Sequence, residues 1–454
     1  MAAERIKDMT KGRPAGLILG FALPLMLGNV FQQLYTLVDA MVVGRFVGVE
    51  ALAALGAADW LNWMVLGIIT GLTQGFGILM SQRFGASDLE GLRKTIAMSG
   101  LLSALAAGIL LALSLSLARP LLLLLNTPAN ILADALTYLC ICFCGIPVIT
   151  AYNAFSTTLR ALGDSRTPLY AMVIAALVNV GLDLLFVCVF GWGVAGAAIA
   201  TVLAQGFSGV YCLLSLRRLS ILQFRREDWK RDLPLCGQLL RLGFPTAFQN
   251  AIIAVGGLVV QFVINGFGFI FVAGFTATNK LYGLLELAAT AFGFSMATFT
   301  GQNLGARQYA RIRSGMRAAL VMAVATAAVI GACMLLFGRS ILSAFISGTP
   351  EETVQVLDVA YTYLSFMSYP LPILYLLHLY RCALQGMGDT VIPMWSGILE
   401  LVMRISIALL LPQWIGQQGI YFAEVTAWLG AELILMFTYY ARMRRLLRGA
   451  WQPA

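Results

Sequence analysis

The chain is written as long apolar runs separated by short polar punctuation. Six runs come first: Leu17 to Val43, Leu52 to Met80, Leu92 to Leu117, Ile131 to Leu159, Leu169 to Phe190 and Val194 to Leu216. Six more follow: Leu235 to Ile264, Val272 to Thr300, Met316 to Phe337, Val354 to Leu384, Val391 to Leu411 and Gly419 to Tyr440. Each reaches about 20 residues or more, the length at which a helix covers a hydrocarbon core of roughly 30 Å. The pattern predicts an all-α polytopic membrane protein of twelve transmembrane helices. The most polar internal stretch, Arg217 to Asp232, divides the runs six and six. The domain reading is therefore an N-terminal lobe over 1–216, a linker over 217–234 and a C-terminal lobe over 235–454.

The halves also repeat. Ser81-Gln82-Arg83-Phe84-Gly85-Ala86 recurs as Gly301-Gln302-Asn303-Leu304-Gly305-Ala306, and Ala161-Leu162-Gly163-Asp164-Ser165 recurs as Gly386-Met387-Gly388-Asp389-Thr390. Each copy of the second motif is followed by a proline, Pro168 or Pro393, and Pro24 of the first run has a counterpart in Pro245 of the seventh. Six spans per repeat is an even number, so both halves share one orientation. They should be related by an axis along the membrane normal, with a central cavity between two pseudo-symmetric lobes.

Composition narrows the class. The 454 residues are 60% hydrophobic and 11% charged, against roughly 25% charged in soluble domains. A soluble enzyme is excluded. The net charge of +9 does not point to nucleic acid, because no span carries a basic face with interleaved aromatics. With both termini placed in the cytoplasm, all of the 30 Lys and Arg but Arg45, Arg119, Arg339, Lys280 and Arg404 fall in inner loops, tails or inner span ends. That asymmetry is the positive-inside pattern, and it closes consistently for an even number of spans. The basic stretch before the first run leads into a run too long for a signal peptide, so that helix is expected to stay in the protein. The eight cysteines lie in or beside apolar runs and read as small buried hydrophobes.

No GxxxxGK[ST] phosphate loop occurs, and the single histidine, His378, cannot build a metal cluster or a triad. An imidazole that packs or lines a cavity is the plainer reading of His378; a proton carrier is the sharper one. An ion gradient, not nucleotide hydrolysis, is the expected energy source, and no cofactor is called for beyond the coupling ion.

What remains is a small set of ionisable groups inside spans, where a charge is costly and marks a pathway by default. Asp39 has Tyr35 four residues before it and Asp183 has Asn179 at the same spacing, so each pair shares a helix face, with the Tyr35 hydroxyl placed to bond a carboxyl group. Burial and like charge both disfavour two carboxylates in one dry pocket, which is how a proton-binding site is made. The alternative is that Asp39 is a solvated helix end and Asp183 is neutralised by Asn179 for packing. In the second half, Gln261 aligns with Asp39 when Gly44 and Gly266 are matched, and Arg404 and Ala408 align with Asn179 and Asp183. The acidic pair is thus not repeated there. Lys280, Glu286, Glu400 and Arg404 also lie within spans, as a possible C-lobe cavity lining or as mutually neutralising pairs, Glu400 with Arg404 and Lys280 with Glu286.

In order, YTLVDAMVVG (Tyr35 to Gly44), ALAALG (Ala51 to Gly56), SQRFGA (Ser81 to Ala86), LRALGD (Leu159 to Asp164), NVGLD (Asn179 to Asp183), AGAAIAT (Ala195 to Thr201) and GQNLGA (Gly301 to Ala306) resemble the multidrug and toxic compound extrusion family, in its DinF-like branch. The resemblance implies a V-shaped cavity and alternating-access export of bulky, cationic, amphipathic compounds in exchange for protons or sodium ions. It also implies a monomeric exporter in the cell membrane. On the DinF-like pattern the coupling ion is bound by Asp39, Tyr35, Gln32, Asn153, Asn179, Asp183 and Thr201, with Pro24 as the flexing point of the first helix. The NorM-type glutamate of helix seven is absent from Phe248-Gln249-Asn250-Ala251-Ile252-Ile253, and the tenth run has no carboxyl near its middle. Coupling through the N-lobe, by protons ahead of sodium, is the expectation. A flippase of lipid-linked precursors or polysaccharide is the alternative, for which Lys280 and Arg404 would have to supply the fixed positive charge.

Overall fold

The computed structural model describes residues 6–125, 127–343, 346 and 350–449. Among them every regular element is a helix. The first repeat runs α1 (Pro14–Phe46), α2 (Val49–Gly85), α3 (Leu89–Leu124), the broken pair α4 (Ala129–Cys144) and α5 (Ile146–Ala161), α6 (Arg166–Asp183) with a π-helical turn over Leu184–Val189, and α7 (Gly193–Arg217). The second runs α8 (Leu233–Asn265), α9 (Phe269–Gly305), α10 (Tyr309–Ser343), the pair α11 (Pro350–Ser368) and α12 (Leu371–Gly386), α13 (Val391–Leu410), the short α14 (Pro412–Ile415) and α15 (Tyr421–Leu447). By length and apolarity nine described helices can cross a membrane, or ten with α4 and α5 taken as one span bent by 47°. The stretch 391–447 enters that count once although it holds two helices, α13 and α15. Adding α15 and the α11–α12 pair gives the twelve spans that the apolar runs predict.

The repeated motifs prove to be turn chemistry. Ser87 and Arg307, which follow the two Gly-Ala motifs, both sit at φ 58°, and Gly163 and Gly388 sit at φ 83° and 88°. A left-handed residue ends the preceding helix in each case. The close of α5 also needs glycine for space, since a Cβ on Gly163 would lie 2.1 Å from the Lys7 carbonyl oxygen. Asp164 then caps α6, accepting from the Arg166 and Thr167 backbone amides at 3.0 and 2.9 Å and from the Thr167 hydroxyl at 2.6 Å. The break between α4 and α5 falls at Gly145, ahead of Pro147, and that between α11 and α12 falls at Pro370, ahead of Pro372.

The chain divides into two compact units. One comprises Met1–Lys11 and Leu23–Ala251, the other Gly12–Ala22 and Ile252–Ala454. The halves of the sequence repeat and the compact units therefore differ: the division runs through α1 beside Pro24 and through α8 beyond Pro245. Within the first unit α2 and the start of α8 touch backbone to backbone, for a Cβ on Gly71 or Gly75 would fall 2.7 Å from Ala247 Cα or 2.4 Å from Gly243 Cα. The segment 217–234 contains two 3-10 turns, Ser220–Leu222 and Arg226–Trp229. It is pinned to α3 by Arg93–Asp228 at 3.5 Å and Lys94–Asp232 at 2.8 Å. The cysteines depart in part from expectation: Cys142, Cys212 and Cys382 are buried, but Cys144, Cys188 and Cys333 are exposed on helix surfaces, where a lipid-facing position costs a small apolar side chain nothing.

Candidate functional site

Polar residues are scarce in these helices, so the places where they converge stand out. In the first unit α1, α6 and α7 bring six together. Asp39 and Tyr35 lie one turn apart on α1, and Thr201 and Gln205 lie one turn apart on α7. The two helices meet as an antiparallel ladder: the Thr201 hydroxyl donates to Asp39 Oδ2 at 3.0 Å and the Gln205 amide donates to the Tyr35 hydroxyl at 2.9 Å. Tyr35, Asp39 and Gln205 are buried, and Asn179 and Asp183 of α6 are fully so. Asp183 and Asn179 neighbour Asp39. The helix widens into its π turn directly after Asp183, a distortion frequent at functional positions.

The arrangement is incomplete as it stands. Asp39 Oδ1, both carboxyl oxygens of Asp183 and both amide atoms of Asn179 are buried and close no hydrogen bond. Each unsatisfied buried polar atom costs on the order of 1–3 kcal/mol, more when charged. No basic residue forms an ion pair with either carboxyl among the described residues. A proton shared between Asp39 and Asp183 would remove one charge and close a bond. A small hard cation would instead find free oxygens, the donor type such ions take.

Some expected residues stand elsewhere. The Tyr35 hydroxyl is bonded by Gln205, not by the carboxyl one turn along its own helix, because α7 offers an amide at the right height. Gln32 is exposed and its side chain reaches toward the Tyr35 hydroxyl. Asn153 donates to the Ile149 carbonyl one turn back on α5 at 2.9 Å. Helix α1 runs unbroken through Pro24. Gln205 was not anticipated, although its spacing of four from Thr201 on an apolar helix was the available signal.

The second unit carries a cluster of another kind. Arg381 of α12 pairs with Glu400 of α13 at 2.6 Å, and Arg404 of α13 pairs with Glu400 at 3.2 Å and with Glu424 of α15 at 2.7 Å. Glu286 of α9 faces His378 of α12 at 3.5 Å. The expected Glu400–Arg404 pair is present as part of a larger network. The Lys280–Glu286 pair is not: Glu286 turns to His378, while Lys280, six residues earlier on α9 and so on another face, is exposed. Gln261 is half-buried, donates to Asn265 of its own helix at 2.9 Å, and has no bond to the network. Arg381 and Glu424 were missed. The 225-residue offset of the repeat sets His378 against Asn153 and Arg404 against Asn179 but points to neither of them. Among the described residues no group of three His, Cys, Asp or Glu side chains is arranged to hold a metal ion.

Comparison with known proteins agrees with this architecture. A "Probable multidrug resistance protein YpnP" of Bacillus subtilis is 30% identical over 450 residues, 98% of this chain and 97% of its own length. A "Probable multidrug resistance protein NorM" of Thermotoga maritima is 23% identical, over 96% of this chain and 92% of its own. Among solved structures, one described as an outward-facing conformation of a multidrug resistance MATE family transporter of the MOP superfamily superposes with a TM-score of 0.90 at 22% identity, covering 97% of this chain and 98% of that one. That superposition shows the fold of twelve helices in two lobes. The MatE family model matches residues 24–185 and 245–410, one copy in each repeat. The chain belongs to the MatE family of membrane transporters, the multidrug and toxic compound extrusion family that its motifs resemble.

Proposed function

We propose that this protein exports amphipathic, cationic small molecules from the cell by antiport, with protons ahead of sodium as the coupling ion and Asp39 and Asp183 as the coupling groups. The observation that carries this reading is the pair of buried carboxyls with three oxygens unsatisfied and no basic partner. One proton satisfies two facing carboxyls; a sodium ion needs several oxygens at once. Proton or ion release on one side would leave two like charges at close range in a dry site, and rearrangement of α1 about Pro24 would relieve them. Coupling requires only that substrate and ion bind the two conformations with different affinity. The exporter is read as a monomer in the cell membrane with both termini in the cytoplasm. The names of the relatives, multidrug resistance proteins, support the substrate class.

The flippase alternative is weakened by the pairing of the basic residues. Arg404 and Arg381 are already bound to glutamates, which leaves Lys280 alone of the two charges a phosphate would need. The deciding experiment is uptake of a fluorescent organic cation into everted vesicles under imposed proton or sodium gradients, for the native chain and Asp39→Asn. Proton-driven uptake lost in the variant is the expected result. Sodium-driven uptake overturns the ion assignment, and no uptake under either gradient overturns cation export.

A further inference from the structure

The network in the second unit does not balance. It holds three carboxylates, Glu286, Glu400 and Glu424, against two guanidinium groups, Arg381 and Arg404. The guanidiniums bind Glu400 and Glu424. Among the described residues Glu286 has one ion-pair partner, the His378 ring at 3.5 Å, in a place where the histidine side chain is 12% and the glutamate side chain 32% exposed.

The ring's own bonding sharpens the point. His378 Nδ1 lies 3.0 Å from the Leu374 carbonyl oxygen, one turn back on α12. A carbonyl offers only lone pairs, so Nδ1 carries a hydrogen. The repeat supplies an independent check, because Asn153, at the equivalent position, uses its amide N–H to bond the Ile149 carbonyl in the same way. In a neutral ring Nε2 would then present a lone pair to Glu286 Oε1, an acceptor facing an acceptor. A proton between them removes that conflict and brings the network to neutrality.

We propose that His378 and Glu286 form a second proton-binding site, wholly within this unit and separate from Asp39 and Asp183, holding one exchangeable proton between Nε2 and Oε1. The surrounding groups favour its occupancy and tune it. Glu286 comes from α9, Arg381 lies on α12 itself, Glu400 and Arg404 come from α13, and Glu424 comes from α15. Tyr282 of α9 lies near Glu286, Glu424 and Arg404, and Tyr363 of α11 near the latter two. Helix α10 has no ionisable residue between Arg317 and Cys333. The two guanidiniums oppose the proton and the three carboxylates favour it, with the nearest carboxylate in direct contact. The site does not depend on which ion Asp39 couples.

Because the chain has one histidine, nitrogen-15 labelling of histidine makes the full-length protein in nanodiscs report on His378 alone. The expected spectrum shows the Nδ1–H tautomer at high pH and a doubly protonated ring at low pH, with a reversible midpoint inside the pH range scanned. Glu286→Gln should lower the proton affinity about tenfold or more, and Asp39→Asn should leave the midpoint where it is. His378→Asn keeps the donor to Leu374, and should take up one proton fewer per chain across that range. A ring that stays neutral throughout, an Nε2–H tautomer, a midpoint indifferent to Glu286→Gln, or one displaced by Asp39→Asn would each overturn the proposal.

Discussion

The two polar clusters stand at corresponding places in the sequence repeat and solve opposite problems. In the first unit a pair of aspartates is buried with hydroxyl and amide neighbours and no cation of its own. In the second, glutamates are buried against arginines that already satisfy most of them. At the shared 225-residue offset Asn179 has become Arg404 and Asn153 has become His378, while Thr201 corresponds to Thr426. A buried carboxylate given an arginine is a fixed strut. One left with only dipolar neighbours stays open to a mobile charge. The lesson is that one helical frame yields a stable cross-link or an ion-binding group by the choice of a few side chains on the equivalents of α5 and α6.

The largest effect should come from breaking the strut. Arg404→Ala would leave the half-buried Glu424 without its ion-pair partner and Glu400 with Arg381 alone, and removing one member of a buried pair typically costs about 3–5 kcal/mol. The expected outcome is a marked fall in the thermal unfolding midpoint of the purified protein. Adding Glu424→Gln should recover part of it, because the stranded charge is then gone. Next comes Asp183→Asn. It supplies an amide where two carboxyl oxygens lack partners, so stability should hold or rise while gradient-driven uptake falls more than tenfold. If instead the aspartate variant unfolds and the arginine variant does not, the contrast between strut and open site is wrong.

Smaller again are the rungs of the ladder between α1 and α7. Gln205→Leu and Tyr35→Phe each remove one buried hydrogen bond at 2.9 Å, a loss of about 1 kcal/mol. Each change also leaves the other partner of that bond unpaired, so the two costs should be similar. Both should reduce uptake several-fold without abolishing it. A loss as complete as that of Asp39→Asn would mean that Tyr35 and Gln205 carry the ion themselves.

Most of the fold was legible because a span must be apolar for about 20 residues, and that signal survives without any tertiary knowledge. The repeat was legible because turns demand particular residues: Gly163 and Gly388 stand at positive φ, and their motifs could be matched by eye. The first cluster was visible because a carboxyl in a span is costly and marks a pathway by default. The ladder partner Gln205 was not, since a single glutamine on a helix carries no sign of which neighbour it will meet. The network of the second unit was hardest. Arg381, Glu400, Arg404 and Glu424 come from three helices, and only packing decides which charges meet; the sequence pairing of Lys280 with Glu286 failed because helical spacing of six turns the two side chains apart.

The smallest effect concerns the contrast at its edge, where charges leave the membrane. Asp232, just before α8, bonds the Lys94 ammonium at 2.8 Å and the Leu235 backbone amide at 3.1 Å. The hydrogen bond from Lys94 holds its carboxyl below the usual carboxylate range, aided by the Leu235 amide. A depressed value in the folded state means that the contribution to stability is present above the ordinary aspartate range and fades as pH falls through the folded value. This pair is solvent-exposed, so salt should screen it as it does other surface pairs. Asp232→Asn should therefore lower the unfolding midpoint slightly at neutral pH and low salt, and not at all in strong salt or in acid. Arg404→Ala, by contrast, should keep its cost at high salt, because ions do not reach a buried network. Equal salt sensitivity of the two variants would show the second cluster to be hydrated.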